Sequence, residues 1–64
     1  MGAMEEQAKK AYRSFGKSSF KSFDAYLKFA WKLRRTSKLA YFAKYKTMSF
    51  DAFKAHVANS EGSW

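Results

Sequence analysis

Residues 20–35 read FKSFDAYLKFAWKLRR, and the spacing of two residue classes within them decides how the chain folds. On a helical wheel of about 100° per residue, Phe20, Phe23, Tyr26, Leu27, Ala30, Trp31 and Leu33 share one broad face. Lys21, Lys28, Lys32 and Arg35 fall within about 60° of one another on the opposite side. The stretch is therefore expected to be an amphipathic helix running from about 20–23 to 34–35, with an aromatic core face and a basic outer stripe. Phe29 projects between the two faces. Arg34 points toward the apolar side, where its long stem snorkels outward or marks the helix end. Ser19 or Ser22 is placed to cap the helix, and Asp24 sits in the first turn, where the helix dipole favours an acid.

Outward from this stretch the same periodicity continues. Residues 4–15, MEEQAKKAYRSF, place Met4, Ala8, Ala11 and Phe15 on one face with Tyr12 beside them. Glu5–Lys9 and Glu6–Lys10 are i,i+4 pairs in the favourable order. Gly16 is positioned as a left-handed C-terminal cap. Beyond residue 35, Thr36-Ser37 offers a break and a new cap for a third helix over about 37–46, although one long helix over 20–46 stays open. Leu39, Phe42 and Ala43 would form its inward patch, with Tyr41 and Tyr45 to the side. Ser49 caps a fourth helix ending near Asn59, with Met48 and Phe53 spaced as a hydrophobic staple. The echo of SFDAY (22–26) in SFDAF (49–53) reflects one helix-start solution used twice: Ser as cap, Asp in the first turn, aromatics inward.

The composition agrees with an all-α reading. Proline is absent, and Val57 is the one β-branched aliphatic in the chain, whereas strands draw on such residues. Sixty-four residues make one domain, expected as a compact bundle of three to four short helices spanning 1–64. Residues 1–3 read as a cloning remnant before a native start at Met4, and 60–64, SEGSW, as a frayed tail. With no Cys there is no disulfide and no thiolate metal site, in keeping with a reducing cytoplasm. Stability must come from packing, and thirteen aromatics (seven Phe, four Tyr, two Trp) supply the apolar area. No stretch is long and apolar enough to suggest a membrane span, and the N-terminus has no signal core.

Charge is concentrated as well as high. Of the formal +8, residues 21–46 hold eight Lys or Arg against Asp24 alone, a net +7. Such asymmetry marks an electrostatic footprint for an anionic partner. Nucleic acid is the first expectation, DNA ahead of RNA, for a small regulatory protein. The expected phosphate contacts are Lys21, Lys28, Lys32, Arg35 and Lys38, with Arg34 and Tyr45 secondary and Lys44 and Lys46 extending the patch. A weaker expectation is a helix-turn-helix over residues 38–57, in which Phe53 and Val57 anchor a reading helix exposing Asp51, Lys54, Ala55, His56 and Asn59. Its turn lacks a glycine, and that helix is nearly neutral.

The alternative is a protein-interaction or inhibitor module. It would dock on an acidic partner, or self-associate, through exposed aromatics among Phe29, Trp31, Tyr41, Tyr45 and Trp64. An interfacial membrane helix is disfavoured because the other segments carry apolar faces that would cover residues 20–35. Catalysis is not expected. His56 is the sole histidine, Glu5 and Glu6 diverge by about 100°, and Asp24 and Asp51 are accounted for by helix dipoles. No glycine-rich phosphate loop or metal-ligand cluster appears, so no cofactor is expected.

Overall fold

In the computed structural model, which describes residues 2–64, the chain is all-helical. Helix α1 spans Ala3–Ala11 and runs into a π-helical turn, Tyr12–Gly16. Helix α2 spans Phe23–Thr36, a 3₁₀ segment spans Ala40–Thr47, and α3 spans Phe50–Asn59. The break at residues 37–39 is real, so α2 and the third element are separate. Ser22 and Ser49 cap their helices as read from the sequence, each accepting a bond from the backbone N–H three residues on (Ala25 and Ala52, both 3.2 Å). Among the described residues, no helix is long and apolar enough to cross a membrane.

Gly16 does not act as a left-handed cap; no described glycine has positive φ. Its missing side chain serves packing instead. A Cβ there would lie 2.9 Å from Cδ1 of Tyr12 and 3.4 Å from Cδ1 of Tyr26. The Tyr12 side chain thus lies against the glycine while its hydroxyl donates to the Phe20 carbonyl, 3.2 Å away. The wider turn closes with Lys17 N–H donating to the Tyr12 carbonyl at 2.9 Å, five residues back. Tyr12 so bridges α1 to the start of α2, edge-on to Phe23 at 5.9 Å.

The core is built from Met4, Ala8, Leu27, Tyr45, Phe53 and Val57, with Phe53 fully buried. Phe23, Trp31, Phe42, Met48, Phe50 and Trp64 pack around it. The α2 face is largely as expected, since Tyr26, Leu27 and Ala30 are buried. Leu33 is not; it stays 54 % exposed, at the edge of the apolar arc on the side of the exposed Phe29.

The third element departs most from expectation. Leu39 and Ala43 are exposed, and Tyr45 is buried. The cause is helical period. A 3₁₀ segment has three residues per turn, so Phe42 and Tyr45 share its inward face and Ala43 turns away, while Leu39 lies outside the segment in extended backbone. The first member of the expected helix-turn-helix is therefore not an α-helix, although Phe53 and Val57 do anchor α3 as that reading required.

The ends of the chain are also ordered against each other. Gly2 N–H donates to the Ala58 carbonyl (2.9 Å), Met4 N–H to the Ser60 carbonyl (3.1 Å) and Ala3 N–H to Oε2 of Glu61 (3.2 Å). These bonds occupy donors that a helix start leaves open, and Gly2 at the N-cap has no side chain to meet them. Gly2 and Ala3, set aside as a remnant on sequence grounds, thus belong to the fold; Met1 lies outside the described residues. Nor does 60–64 fray. Trp64 N–H donates to Oε1 of Gln7 (2.9 Å), and its indole Nε1 donates to the Tyr26 hydroxyl (3.2 Å). Its ring packs on Tyr26 and Phe53 at 6.0 and 6.1 Å. A terminal segment orders when it has apolar area to bury and backbone donors to meet, and SEGSW has both.

Candidate nucleic-acid interface

Capped by Ser22 and held inward by Tyr26, Leu27 and Ala30, α2 turns its opposite face to solvent. Lys28, Lys32 and Arg35 lie along that face, with Lys21 just ahead of it and Lys38 just past its end; all five are exposed. Lys46 is exposed at the end of the 3₁₀ segment. It is tied to the stripe through Arg35, whose Nη2 reaches the Lys46 carbonyl at 3.5 Å. The Arg35 guanidinium lies over the Trp31 ring, 4.7 Å from its centre. Trp31 is itself pinned by Nε1 donating to the Met48 carbonyl at 2.8 Å. A cation mounted on a fixed ring holds its direction better than a free lysine.

Two expected contact residues do not belong to this surface. Tyr45 is 3 % exposed, so no base could stack on it. The 3₁₀ period turned it inward, edge-on to Phe53 at 5.8 Å. Its hydroxyl meets Nε2 of His56 at 3.3 Å. Arg34 is half-buried, in line with its position on the apolar side of the wheel. Its guanidinium carbon lies 4.3 Å from the Trp64 ring centre and within 5.9 Å of Phe42, Tyr45 and Phe53. Nη2 donates to the main-chain oxygen of Trp64 at 2.6 Å, and Nη1 to the Ala30 carbonyl at 3.3 Å. Those partners take two of its five N–H donors and hold the group among rings, turned from the stripe. Arg34 is a strut between α2, the 3₁₀ segment and the C-terminal tail.

The stripe is unneutralised. Among the described residues the one ion pair joins Lys54 to Asp24 at 3.1 Å, and none of the expected contact residues takes part in it. Lys28 and Lys32 are four residues apart and Lys32 and Arg35 three apart, spacings at which like charges destabilise a helix by about 0.2–0.5 kcal/mol each. Asp24, four residues before Lys28, is paired with Lys54, and none of these three cations is in an ion pair among the described residues.

Elsewhere the surface is different in kind. A shallow depression of about 410 Å³ over α3 is lined by Ala52, Ala55, His56, Asn59 and Ser60. The His56 imidazole is held below its ordinary value of 6.5, first by burial and then by the positive charges of Lys44 and Arg34. It is neutral near pH 7, so this face adds no cation to the stripe. Lys54, expected on a reading helix, is engaged with Asp24 instead.

Three aromatics are exposed, and one of them, Phe15 at 68 %, was placed by the wheel on the apolar face of the first helix. Phe29, which the wheel placed between faces, is 47 % exposed beside Lys28 and Lys32. Tyr41, expected to the side of its segment, is 75 % exposed. Its exposure follows from the 3₁₀ period, which the sequence pattern did not signal. Compared with protein-family models, curated proteins and solved structures, the chain matches none.

Proposed function

We propose that this protein binds nucleic acid, contacting phosphates through Lys21, Lys28, Lys32, Arg35, Lys38 and Lys46, with no catalytic step of its own. The observation that supports this reading is the exposed, unpaired run of cations on one rigid helix face. A helix keeps such a stripe at a fixed spacing, and a polyanion relieves its self-repulsion while releasing condensed counterions. DNA and a regulatory role remain the favoured form of the proposal. Replacing Lys28 and Lys32 with Glu reverses four units of charge at the centre of the stripe and leaves the core untouched. Anisotropy titrations with labelled oligonucleotides should lose binding in that double variant while its helical circular dichroism persists. The wild-type affinity should fall with salt at a log–log slope of about −3 or steeper, the value for four or more phosphate contacts. Unchanged affinity in the double variant refutes the reading.

A second reading, docking on an acidic protein, is favoured by one observation. Tyr41 and Leu39 are 75 % and 62 % exposed beside Lys38, the mixture of ring and cation that interfaces use. It requires that Tyr41→Ala reduce binding to that partner more than any single lysine change does.

A further inference from the structure

We infer that the α2 face takes single-stranded rather than duplex nucleic acid, with Phe29 as the platform on which an unpaired base stacks beside phosphates held by Lys28 and Lys32. The inference rests on the nucleic-acid reading above and names its ligand class.

Phe29 is nearly half exposed on the flank of the stripe, and Phe20 stands behind it at 5.1 Å between ring centres. A ring supported in this way is ordered before any ligand arrives. Leu33, one turn along the same flank, is 54 % exposed and extends the apolar strip. A duplex has no use for that strip. Its base faces are stacked inside, so an exposed phenyl lying next to its backbone would gain nothing and would crowd hydrated phosphates. A single strand presents phosphates and base faces together, which is what a cationic helix edge with an adjoining ring accommodates.

The pairing of ring and cation recurs. Tyr41 lies between Lys38 and Lys44, the latter one 3₁₀ turn away, and all three are exposed. Phe15, 68 % exposed, falls between the exposed Arg13 and Lys17. Each strongly exposed aromatic of the described chain therefore has an exposed cation within three residues. A second copy of the chain is a poor occupant, because each copy brings a net +8 to the contact. An acidic peptide would satisfy the lysines but has no requirement for flat rings.

The test uses the full chain and three labelled probes of about 12 nucleotides, within the usual site size: oligothymidine, oligouridine and a mixed-sequence duplex. Single strands should bind at least about tenfold more tightly than the duplex, and Phe29→Ala should weaken single-strand binding by about tenfold, the scale of one lost stacking contact. Duplex binding should change by less than about twofold in that variant, since phosphate contacts are untouched. Phe29→Trp should restore the single-strand affinity, and the ratio of the thymidine to the uridine probe assigns DNA or RNA. Equal affinity for duplex and single strand, or an equal loss on both in Phe29→Ala, overturns the inference. If duplex binding persists and is abolished by Lys28→Glu/Lys32→Glu, the broader nucleic-acid reading survives that failure. If no probe binds the wild type at low salt, both fall. Concentration-dependent self-association lost in Phe29→Ala would likewise overturn it, because the occupant would then be a second copy.

Discussion

Replacing Trp64 with Ala should destabilise this protein by about 3 kcal/mol, most of the 3–5 kcal/mol that a core of this size commands. The magnitude follows from what the indole touches. The Arg34 guanidinium lies 4.3 Å from its ring centre in a half-buried setting, where a cation–π contact is worth about 1–2 kcal/mol. The Nε1 bond to the Tyr26 hydroxyl, 3.2 Å long, adds about 1 kcal/mol. Ring contacts to Tyr26 and Phe53 contribute about 0.5–1.5 kcal/mol each. Because these contacts share atoms and Trp64 is partly solvated, the lower half of the combined range applies. The assay is urea and thermal unfolding followed by far-ultraviolet circular dichroism. In a domain of this size each 1 kcal/mol moves the melting point by about 4–8 °C, so a loss above about 12 °C is expected. Trp64→Phe should recover part of it, having kept a ring over Arg34. A cycle pairing Trp64→Ala with Arg34→Met should show coupling of about 1 kcal/mol, since the two groups are in contact. A change below about 0.5 kcal/mol, the size typical of surface sites, would mean that the tail frays after all. The strut assigned to Arg34 would then be refuted.

Gly16→Ala should destabilise the fold by about 1 kcal/mol. The new methyl meets the Tyr12 ring at 2.9 Å, an overpacking cost of about 1–3 kcal/mol that exceeds the gain of up to about 1 kcal/mol from a stiffer unfolded chain; a neutral or stabilising result in denaturant titration would count against the packed Tyr12–Gly16 contact. Acidification should act through His56. Its folded value lies below 6.5 because of burial and the charges of Lys44 and Arg34, so the unfolded chain takes up the proton first and stability falls as the pH drops below about 6.5. Above that value the group is neutral in both states and contributes no pH dependence. Melting temperatures compared between about pH 7.5 and pH 5.5 should show a smaller drop in His56→Gln than in the wild type, and an identical drop would remove His56 from the account.

The legibility of this fold differs from element to element. The α2 wheel sorted Tyr26, Leu27 and Ala30 to the core and Lys28, Lys32 and Arg35 to solvent, because a fourteen-residue α-helix has enough turns for its period to be read. The caps at Ser22 and Ser49 were legible for a local reason: each is a short polar side chain bonding a backbone N–H three residues away. The Tyr41–Tyr45 pair was not. Whether residues 40–47 wind with a period of three or of 3.6 depends on what they pack against, and α2 is their main neighbour. That choice decided which tyrosine was buried and so removed Tyr45 from the candidate site.

The sequence by itself determined the class, most of the inward face of α2 and the location of the positive charge. All of these depend on residue type and on neighbours within a few positions. Tertiary structure alone decided the fate of Arg34, Tyr45 and Trp64. Trp64 and Arg34 are thirty residues apart in the chain and 4.3 Å apart, ring centre to guanidinium, in space, and Gly2 bonds Ala58 across nearly its whole length. Contacts of that separation leave no periodic trace in a sequence. They arise when apolar area left over from one segment finds a complementary surface on another, and only the packed chain records where that happens.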